Sequence, residues 1–278
     1  MTETRNHSEP NFFPNKSPET MRLEFRLRNA IKNLPEELRC TLYEIFTEAH
    51  PQLAKTKFTI NLEHMIVRQN GRDIFFPRPI PEIIYAHISC GYEEWLQRKY
   101  ALPGFVEVEL GDIVVDCGAY VGGFSLSAAR VASQVHAFEP ESANFNCLHI
   151  NVEGLPNVIT NNCGLFKETG FVKLNLSKTN WQHSLLQPKD GTIDTRPIKV
   201  VSLKDYCESH GVTRIDFAKI EAEQVELEVL EGLGPIKPRK LAIDGHTEGQ
   251  NSPLIELLTR RGYEIKQRGQ VVFAREKL

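Results

Sequence analysis

The sequence predicts a mixed α/β fold built on a mainly parallel sheet with helices on both faces. The stretch DIVVDCGAYVGGFSLS, residues 112–127, passes from a β-branched apolar strand through a glycine-rich turn into the start of a helix. α/β proteins hold nucleotide-like ligands at such junctions. After Asp116, strand patterns alternate with helical patterns, which is typical of parallel strands joined by crossover helices. Two apolar runs around Arg268-Gly269 then predict a closing hairpin, which would add an antiparallel strand.

Composition and charge exclude several classes of protein. The chain has 278 residues, a formal net charge of −3 and 41% hydrophobic residues, which is ordinary for a globular protein. It has no basic field to attract nucleic acid or a membrane surface, and no apolar run near the roughly 20 residues that span a bilayer. The first residues lack the apolar core of a secretory signal. We therefore expect a cytoplasmic protein that binds neither nucleic acid nor membrane.

Composition also divides the chain into three parts. Residues 1–20 are polar and contain three prolines, so we expect a mobile tail. Residues 21–105 are expected to form an extension that covers the substrate side or makes a dimer contact, and residues 106–278 a ligand-binding domain. The predicted elements of the extension are a helix from Met21, a helix begun by Pro35, a hairpin turned at Asn70-Gly71 and helical pieces over residues 82–100.

The predicted elements of the domain follow in chain order. Val106, Val108 and Leu110 alternate with glutamates, which predicts a half-exposed strand before the glycine turn. Beyond the turn we predict a helix over residues 123–132, the strand QVHAFEP, a helix over residues 141–152, the strand NVITNNC, the hairpin arm FVKLNLS and the strand IKVVSL. Next come a short helix over residues 203–209, the strand IDFAKIE, a helix with Val225, Val229 and Leu230 inward and Glu226, Glu228 and Glu231 outward, the strand KLAIDGH, and a helix begun by Ser252 and Pro253.

The glycine turn indicates the charge of its ligand. It reads Asp116-x-Gly118-x-x-x-Gly122, so its first position is acidic where the dinucleotide pattern G-x-G-x-x-G has glycine. A carboxylate there would repel a pyrophosphate, whereas it would attract a cationic ligand. S-adenosylmethionine carries a sulfonium and an ammonium at its methionine end, so the turn favours this ligand. Alone, Asp116 could also be the N-cap of the loop.

Two later strand ends support the same ligand. Glu139 ends the next strand, 23 residues after Asp116, and a carboxylate at about this spacing commonly accepts hydrogen bonds from ribose hydroxyls. Asn161, Asn162 and Cys163 end the third strand, where an adenine ring would lie. Each also has a plainer interpretation, a solvated strand end for Glu139 and turn residues for the asparagines. The ordered set is more specific than any of its members.

Three blocks of the sequence resemble the FkbM-like methyltransferases: VVDCGAYVGGFSLSAAR, VHAFEPESANFNCLHINV and IDFAKIEAEQVELEVLEGL. The resemblance covers about residues 110–246. It implies a class I, Rossmann-like methyltransferase that uses S-adenosylmethionine, with a mainly parallel seven-stranded sheet and an antiparallel C-terminal strand. It further implies O-methylation of sugars, polyketides or other secondary metabolites. The residues expected to contact the cofactor are Asp116, Gly118, Ala119, Tyr120, Gly122, Glu139, Pro140, Asn162, Cys163, Trp181, Ser184 and Glu221.

The third block departs from the family's usual K-I-D-V-E-G-A-E. Glu221 replaces the aspartate, and Gln224 replaces the glycine. The extra methylene of Glu221 displaces its carboxylate by roughly 1.5 Å, the length of one C–C bond. The loss of glycine restricts the backbone where a substrate would approach. The next strand ends in Asp244-Gly245-His246, where the family more usually has a glutamate.

Methyl transfer to an alcohol requires alignment of the reacting atoms and removal of the hydroxyl proton. The candidate bases are His183, Glu221 and His246, with Glu223 beside them, and Lys219 would orient them or the substrate. His183 lies in the loop TNWQHSLLQ. The resemblance implies that this loop covers the cofactor near the transferred methyl. A plainer interpretation of this loop is a surface segment with a buried tryptophan anchor.

Several alternatives stay open at this point. A divalent metal held by Glu221, Asp244 and His246 is one, because carboxylates and imidazole at adjacent strand ends can converge, although we expect no metal. The expected acceptor is a hydroxyl on a small molecule. The rival functions are methylation of a peptide or protein side chain, and cofactor binding without catalysis. A homodimer formed through the extension is a further possibility.

Overall fold

The computed structural model describes residues 16–176, 194–245 and 252–277. In these ranges the helices are α1 (Pro18–Ile31), α2 (Glu36–Ala49), α3 (Glu82–Ser89), α4 (Tyr92–Lys99), α5 (Gly123–Ala128), α6 (Ser142–Asn151), α7 (Leu203–His210), α8 (Glu226–Glu231) and α9 (Ser252–Arg260). The strands are β1 (Lys57–Ile60), β2 (His64–Gln69), β3 (Arg72–Pro77), β4 (Ile113–Cys117), β5 (Gln134–Phe138), β6 (Val158–Asn161), β7 (Gly164–Leu165), β8 (Gly170–Leu176), β9 (Asp194–Val201), β10 (Phe217–Ile220), β11 (Lys240–Asp244), β12 (Tyr263–Arg268) and β13 (Val271–Glu276).

The central sheet has seven strands in the order β12-β13-β11-β10-β4-β5-β6. β4 pairs in parallel with β5 and β10, while β13 lies antiparallel between β11 and β12. The strand order therefore reverses between β4 and β10, and ligands of open α/β sheets bind beyond the carboxyl ends of the strands at such a point. This architecture confirms the predicted class I methyltransferase fold, including its antiparallel strand near the end of the chain.

Two smaller sheets flank the central one. β1, β2 and β3 form an antiparallel sheet in the extension, and Asn70 and Gly71 turn its second hairpin with positive φ, as predicted. The segments FVKLNLS and IKVVSL do form strands, but they pair with each other as β8 and β9 in a separate sheet with β7.

The predicted strand around Val106 is wrong. The segment makes a single bridge, between Leu102 and Val106, and then turns. Local polar contacts replace strand pairing, because the Gly104 N–H donates to Glu107 Oε1 and the Glu109 N–H donates to Asp112 Oδ2. The Glu107 carboxylate thus caps a turn, and the Glu109 carboxylate accepts a 2.8 Å hydrogen bond from Lys240 Nζ, so neither lines the outer face of a strand.

The extension and the ligand-binding domain share one hydrophobic core. Side chains of the extension, among them Tyr92 and Trp95, belong to the same buried cluster as Phe124 and Phe217 of the domain. α4 packs closely on α5, since a Cβ added to Gly123 would lie 2.4 Å from Tyr92 Cε1. The extension is therefore an integral layer of the fold that reaches the helix beyond the glycine turn.

The β12–β13 hairpin fixes the end of α4. Arg268 Nη2 donates to the carbonyl oxygens of Arg98, Lys99 and Ala101, at 2.5, 3.1 and 3.0 Å. These carbonyl groups at the helix C-terminus have no partners within the helix, and a cation also suits the negative end of the helix dipole.

Among the helices in the described ranges, none is long and apolar enough to span a membrane.

Candidate active site

The glycine turn brings the ends of β4 and β10 into contact. Gly118, Tyr120 and Gly122 adopt φ of 72°, 52° and 86°, so the chain passes through the left-handed region three times. A Cβ added to Gly118 would lie only 1.9 Å from the Glu221 carbonyl oxygen. Only glycine fits there, because the position combines a left-handed backbone with a close approach to another strand.

Asp116 lies beneath this turn and is fully buried. Its Oδ2 accepts a 2.6 Å hydrogen bond from Ser125 Oγ, and Lys219 Nζ lies 3.1 Å from its Oδ1. A buried carboxylate needs such partners, since an unpaired charge in the interior is costly. Asp116 is therefore a buried part of the turn's support, held by Ser125 and Lys219.

Lys219 joins the two strand ends electrostatically. Its Nζ donates to the carbonyl oxygens of Gly118 and Cys117, at 2.5 and 3.2 Å, and lies 3.3 Å from Glu221 Oε2. Burial alone would lower the pKa of Lys219, yet the charges of Asp116 and Glu221 raise it above its usual value. Lys219 is therefore a fixed cation that orients Glu221, which agrees with its predicted positioning role but does not test it.

Lys99 of α4 completes the cluster, and sequence reasoning missed it. Its Nζ lies 2.7 Å from Glu221 Oε1 and 2.7 Å from Asp244 Oδ2, where Gln270 Nε2 also donates to Asp244 at 2.9 Å. Burial alone would lower the pKa of Lys99, but the two carboxylates raise it. The available signal was a lysine on the buried face of α4, one turn after Trp95.

Glu221 is held ionised by these neighbours. Burial alone would raise the pKa of the Glu221 carboxyl. The ammonium groups of Lys99 and Lys219 instead hold this pKa well below its usual range. The ring of Tyr100 packs against both cations, with Lys99 Nζ and Lys219 Nζ at 4.8 and 5.3 Å from its centroid. A carboxylate so strongly paired is a weak proton acceptor.

The cluster carries excess negative charge. In the described part of the chain, the carboxylates of Asp116, Glu221 and Asp244 surround the two ammonium groups of Lys99 and Lys219. The side chain of Glu221 remains 25% exposed, so a ligand at the strand ends can sense this charge. The arrangement fits a ligand with cationic groups and disfavours a pyrophosphate.

Glu139 follows β5 and binds the backbone of the glycine turn. Its Oε2 accepts a 2.9 Å hydrogen bond from the Tyr120 N–H, and its Oε1 accepts one of 2.9 Å from the Glu141 N–H. Burial raises the pKa of Glu139 to about 7, against the opposing effect of these backbone bonds. Oε1 also accepts a longer hydrogen bond of 3.5 Å from Asn144 Nδ2, whereas Oε2 can accept a second bond, so the group is suited to a ribose hydroxyl.

The third strand end supports the loop after Glu139. Asn162 Nδ2 donates to the carbonyl oxygens of Glu139 and Pro140, at 3.0 and 3.3 Å, while Cys163 is buried beside it. Ala119 is held by its N–H, which donates to the Phe138 carbonyl oxygen at 2.9 Å. These predicted cofactor-binding residues therefore converge on one edge of the sheet.

The loop after β10 is strained and held in place. Glu223 and Gln224 adopt φ of 49° and 82°, which is costly for residues with a Cβ. Glu226 was expected to face solvent, but this prediction is wrong, because it is buried and its Oε1 accepts hydrogen bonds from the N–H groups of Ala222 and Gln224. Loop donors that helical periodicity cannot reveal hold this carboxylate inward.

Four predicted site residues, Trp181, His183, Ser184 and His246, lie outside the described residues. Their roles stay predictions. The metal alternative depended on His246 in part, and within the described ranges no group of three histidine, cysteine, aspartate or glutamate side chains could hold a metal ion.

The strand order and the site define a protein of the methyltransferase class. Residues 116–265 match the model of the methyltransferase FkbM domain, which is more than half of the chain. The chain therefore belongs to the FkbM methyltransferase family.

A curated relative and two solved structures are similar to the chain. The 31-O-demethyl-FK506 methyltransferase FkbM of Streptomyces tacrolimicus is 26% identical over 68% of this chain and 88% of its own length. The crystal structure of methyltransferase FkbM from Methylobacillus flagellatus is 20% identical, with a TM-score of 0.46. The match covers 69% of this chain and 54% of that chain. A precorrin-6y C5,15-methyltransferase from Geobacter metallireducens is 10% identical with a TM-score of 0.41, over 66% of this chain and 87% of that one.

Proposed function

We propose that this protein is an S-adenosylmethionine-dependent methyltransferase that methylates a hydroxyl group on a small molecule. The observation that carries the proposal is the negatively charged cluster of Asp116, Glu221 and Asp244 at the glycine turn, with Glu139 at the next strand end. The family membership supports methyl transfer. The hydroxyl acceptor is proposed because the curated relative is named for O-methylation.

The residues of the site suit the parts of this cofactor. When bound, S-adenosylmethionine supplies a methyl group activated by a sulfonium. The Glu139 carboxylate would accept hydrogen bonds from the ribose hydroxyls, and Asn162, which holds the loop after Glu139, would contact the adenine edge. The excess negative charge around Glu221 would complement the sulfonium and ammonium of the methionine end.

The protein's main contribution to the reaction is alignment. Lys99 and Lys219 hold Glu221 from two sides, and Arg268 fixes the end of the helix that carries Lys99. Such a restrained site can keep an acceptor hydroxyl in line with the transferred methyl, and alignment of this kind supplies a large share of the rate in displacement reactions.

Calorimetry on the full chain tests cofactor binding. We expect S-adenosylmethionine to bind, and we expect Glu139→Gln to weaken binding about 10-fold or more, because a hydrogen bond to a charged group contributes about 1.5–3 kcal/mol. Glu153→Gln is the matched control, since Glu153 is exposed beyond α6 and should bind as the unmodified protein does.

Methyl transfer is tested by a screen of sugar and polyketide alcohols with labelled cofactor, followed by mass spectrometry of the product. We expect label in a methyl ether. No binding at near-millimolar cofactor would refute the proposal, whereas label recovered only in a peptide or protein would support the rival acceptor class.

A further inference from the structure

The extension places one ammonium group between two carboxylates of the candidate active site. Lys99, the last residue of α4, is buried, and its Nζ lies 2.7 Å from both Glu221 Oε1 and Asp244 Oδ2. The two carboxylates lie at the ends of neighbouring strands, because β10 pairs in parallel with β11. Both therefore surround the same nitrogen atom at the carboxyl edge of the sheet, next to the glycine turn.

Several elements fix the position of this ammonium group. Lys99 Nζ lies 5.4 Å from the centroid of the Trp95 ring and 4.8 Å from that of the Tyr100 ring, so aromatic rings bound the nitrogen beside the carboxylates. Arg268 binds the carbonyl oxygen of Lys99 at 3.1 Å and so anchors the end of α4. The position of the cation is thus set by the extension and by the β12–β13 hairpin together.

Without this ammonium group, the two carboxylates would repel each other. Asp244 is 1% exposed, and two carboxylates that share a buried site do not both ionise in the usual pH range. Glu221 and Asp244 would then share one proton and titrate as a unit. A cationic ligand at the strand ends would displace that proton, so its binding would depend on pH.

The other charged groups around the pair are already engaged. Lys219 lies 3.3 Å from Glu221 Oε2, but it also neutralises Asp116, whose Oδ1 is 3.1 Å away. Gln270, in the turn of the β12–β13 hairpin, donates to Asp244 without contributing a charge. The remaining titratable groups nearby are Tyr100 after α4, His87 on α3, Cys117 on β4, and Glu223 and Glu226 beyond β10.

We propose that Lys99 is a positioning residue that keeps the Glu221–Asp244 pair fully ionised, so that S-adenosylmethionine binds without displacing a proton from the pair. This inference rests on the proposed function. Lys99 acts through the two carboxylates, since they and two aromatic rings enclose its nitrogen. The extension thereby controls the charge of a site whose other members lie in the family domain, residues 116–265.

Calorimetry at two pH values tests the proposal with S-adenosylmethionine as the probe. Lys99→Gln keeps a hydrogen-bond donor but removes the charge, whereas Lys99→Arg keeps the charge. We expect the affinity of Lys99→Gln to fall about 10-fold or more from pH 7.5 to pH 5.5, beyond any change in the unmodified protein, because a linked proton changes affinity by up to about 10-fold per pH unit. Lys99→Arg should follow the unmodified protein.

Arg98→Gln is the matched control, because it removes a cation from the same helix one residue earlier and leaves the backbone carbonyl group in place. The Glu139 carboxyl titrates in all of these proteins, so only differences from the unmodified protein count. The same pH dependence in Lys99→Gln and the unmodified protein, or an equal change in Arg98→Gln, would overturn the proposal.

Urea denaturation without cofactor measures the charge of the pair independently. In the unmodified protein, Glu221 contributes stability that is present above its unfolded pKa and is lost as pH falls. In Lys99→Gln, the folded pair would hold a proton that the unfolded chain has lost. We therefore expect its urea midpoint, relative to that of the unmodified protein, to be lower at pH 7.5 than at pH 5. An equal difference at both pH values would refute the proposal.

A second variant addresses the folding of Lys99→Gln, which leaves two buried carboxylates beside each other. Lys99→Gln combined with Asp244→Asn removes one charge of each sign, so the pH dependence of the unmodified protein should return. If the single variant does not fold, folding of the double variant supports the proposal, and its failure to fold overturns it. Absence of cofactor binding by the unmodified protein would refute the proposed function, while the urea measurement would still decide the charge of the pair.

Discussion

At the scale of single residues, Glu139 couples the site to pH. Its carboxyl is buried at the glycine turn and has its pKa raised to about 7, against 4.5 for the ordinary group. Between these two values the folded protein binds more protons than the unfolded chain. Stability therefore decreases as pH rises from about 4.5 to about 7, the opposite of the usual effect of a paired carboxylate.

Glu139→Gln tests this coupling. The unmodified protein is expected to lose on the order of 3 kcal/mol of stability between pH 4.5 and 7 because of this group, and the variant should lack that loss. Urea denaturation at pH 5 and pH 7.5 measures the difference. Parallel pH dependence in the two proteins would show that the Glu139 carboxyl ionises as it does in an unfolded chain.

At the scale of elements, the junction of β4 and β10 tolerates no side chain at Gly118. We expect Gly118→Ala to cost roughly 3–4 kcal/mol, because left-handed strain of about 1 kcal/mol adds to the displacement of the Glu221 carbonyl group. Gly154→Ala is the control, since Gly154 has φ of 81° but nothing within 4 Å of an added Cβ. It should cost only about 1 kcal/mol in the same thermal or urea unfolding. Equal losses in the two variants would contradict the close approach of β4 and β10.

The elements that could be predicted from sequence are those with local causes. The turn from Asp116 to Gly122 is encoded by its own glycines, and the hairpin at Asn70-Gly71 by its turn residues. Lys99 could not be assigned because its partner Glu221 is 122 residues away, and only the fold brings them together. Glu226 was placed outward by helical periodicity, which contains no information about the loop N–H groups that it binds.

At the scale of the whole molecule, the shared core predicts a single unfolding transition. The sequence suggested separate parts at residues 21–105 and 106–278, but Ile31 and Tyr92 are buried in the same cluster as Val114 and Phe273. Because side chains of both parts are buried in one cluster, we expect the two parts to lose structure together.

The buried free thiols of Cys40 and Cys207 report on the two parts separately. With a thiol reagent in increasing urea, each cysteine should become reactive at the same midpoint, as measured by mass spectrometry of labelled peptides. Different midpoints for Cys40 and Cys207 would show that the extension unfolds independently of the domain. The homodimer predicted through the extension stays a prediction, and light scattering on the same samples would give its mass.

The contact between Arg268 and the end of α4 also has a consequence for protein synthesis. Arg268 leaves the ribosome 170 residues after Arg98, whose carbonyl group it binds, and Asp244 likewise emerges long after Lys99. A nascent chain that has completed α4 and the glycine turn therefore still lacks the residues that hold Lys99 in place. The charged cluster can assemble only after Asp244 has been translated, and the contact between Arg268 and the end of α4 forms later still. Until Glu221 emerges, Lys99 lacks both of the carboxylates that pair with it in the folded protein.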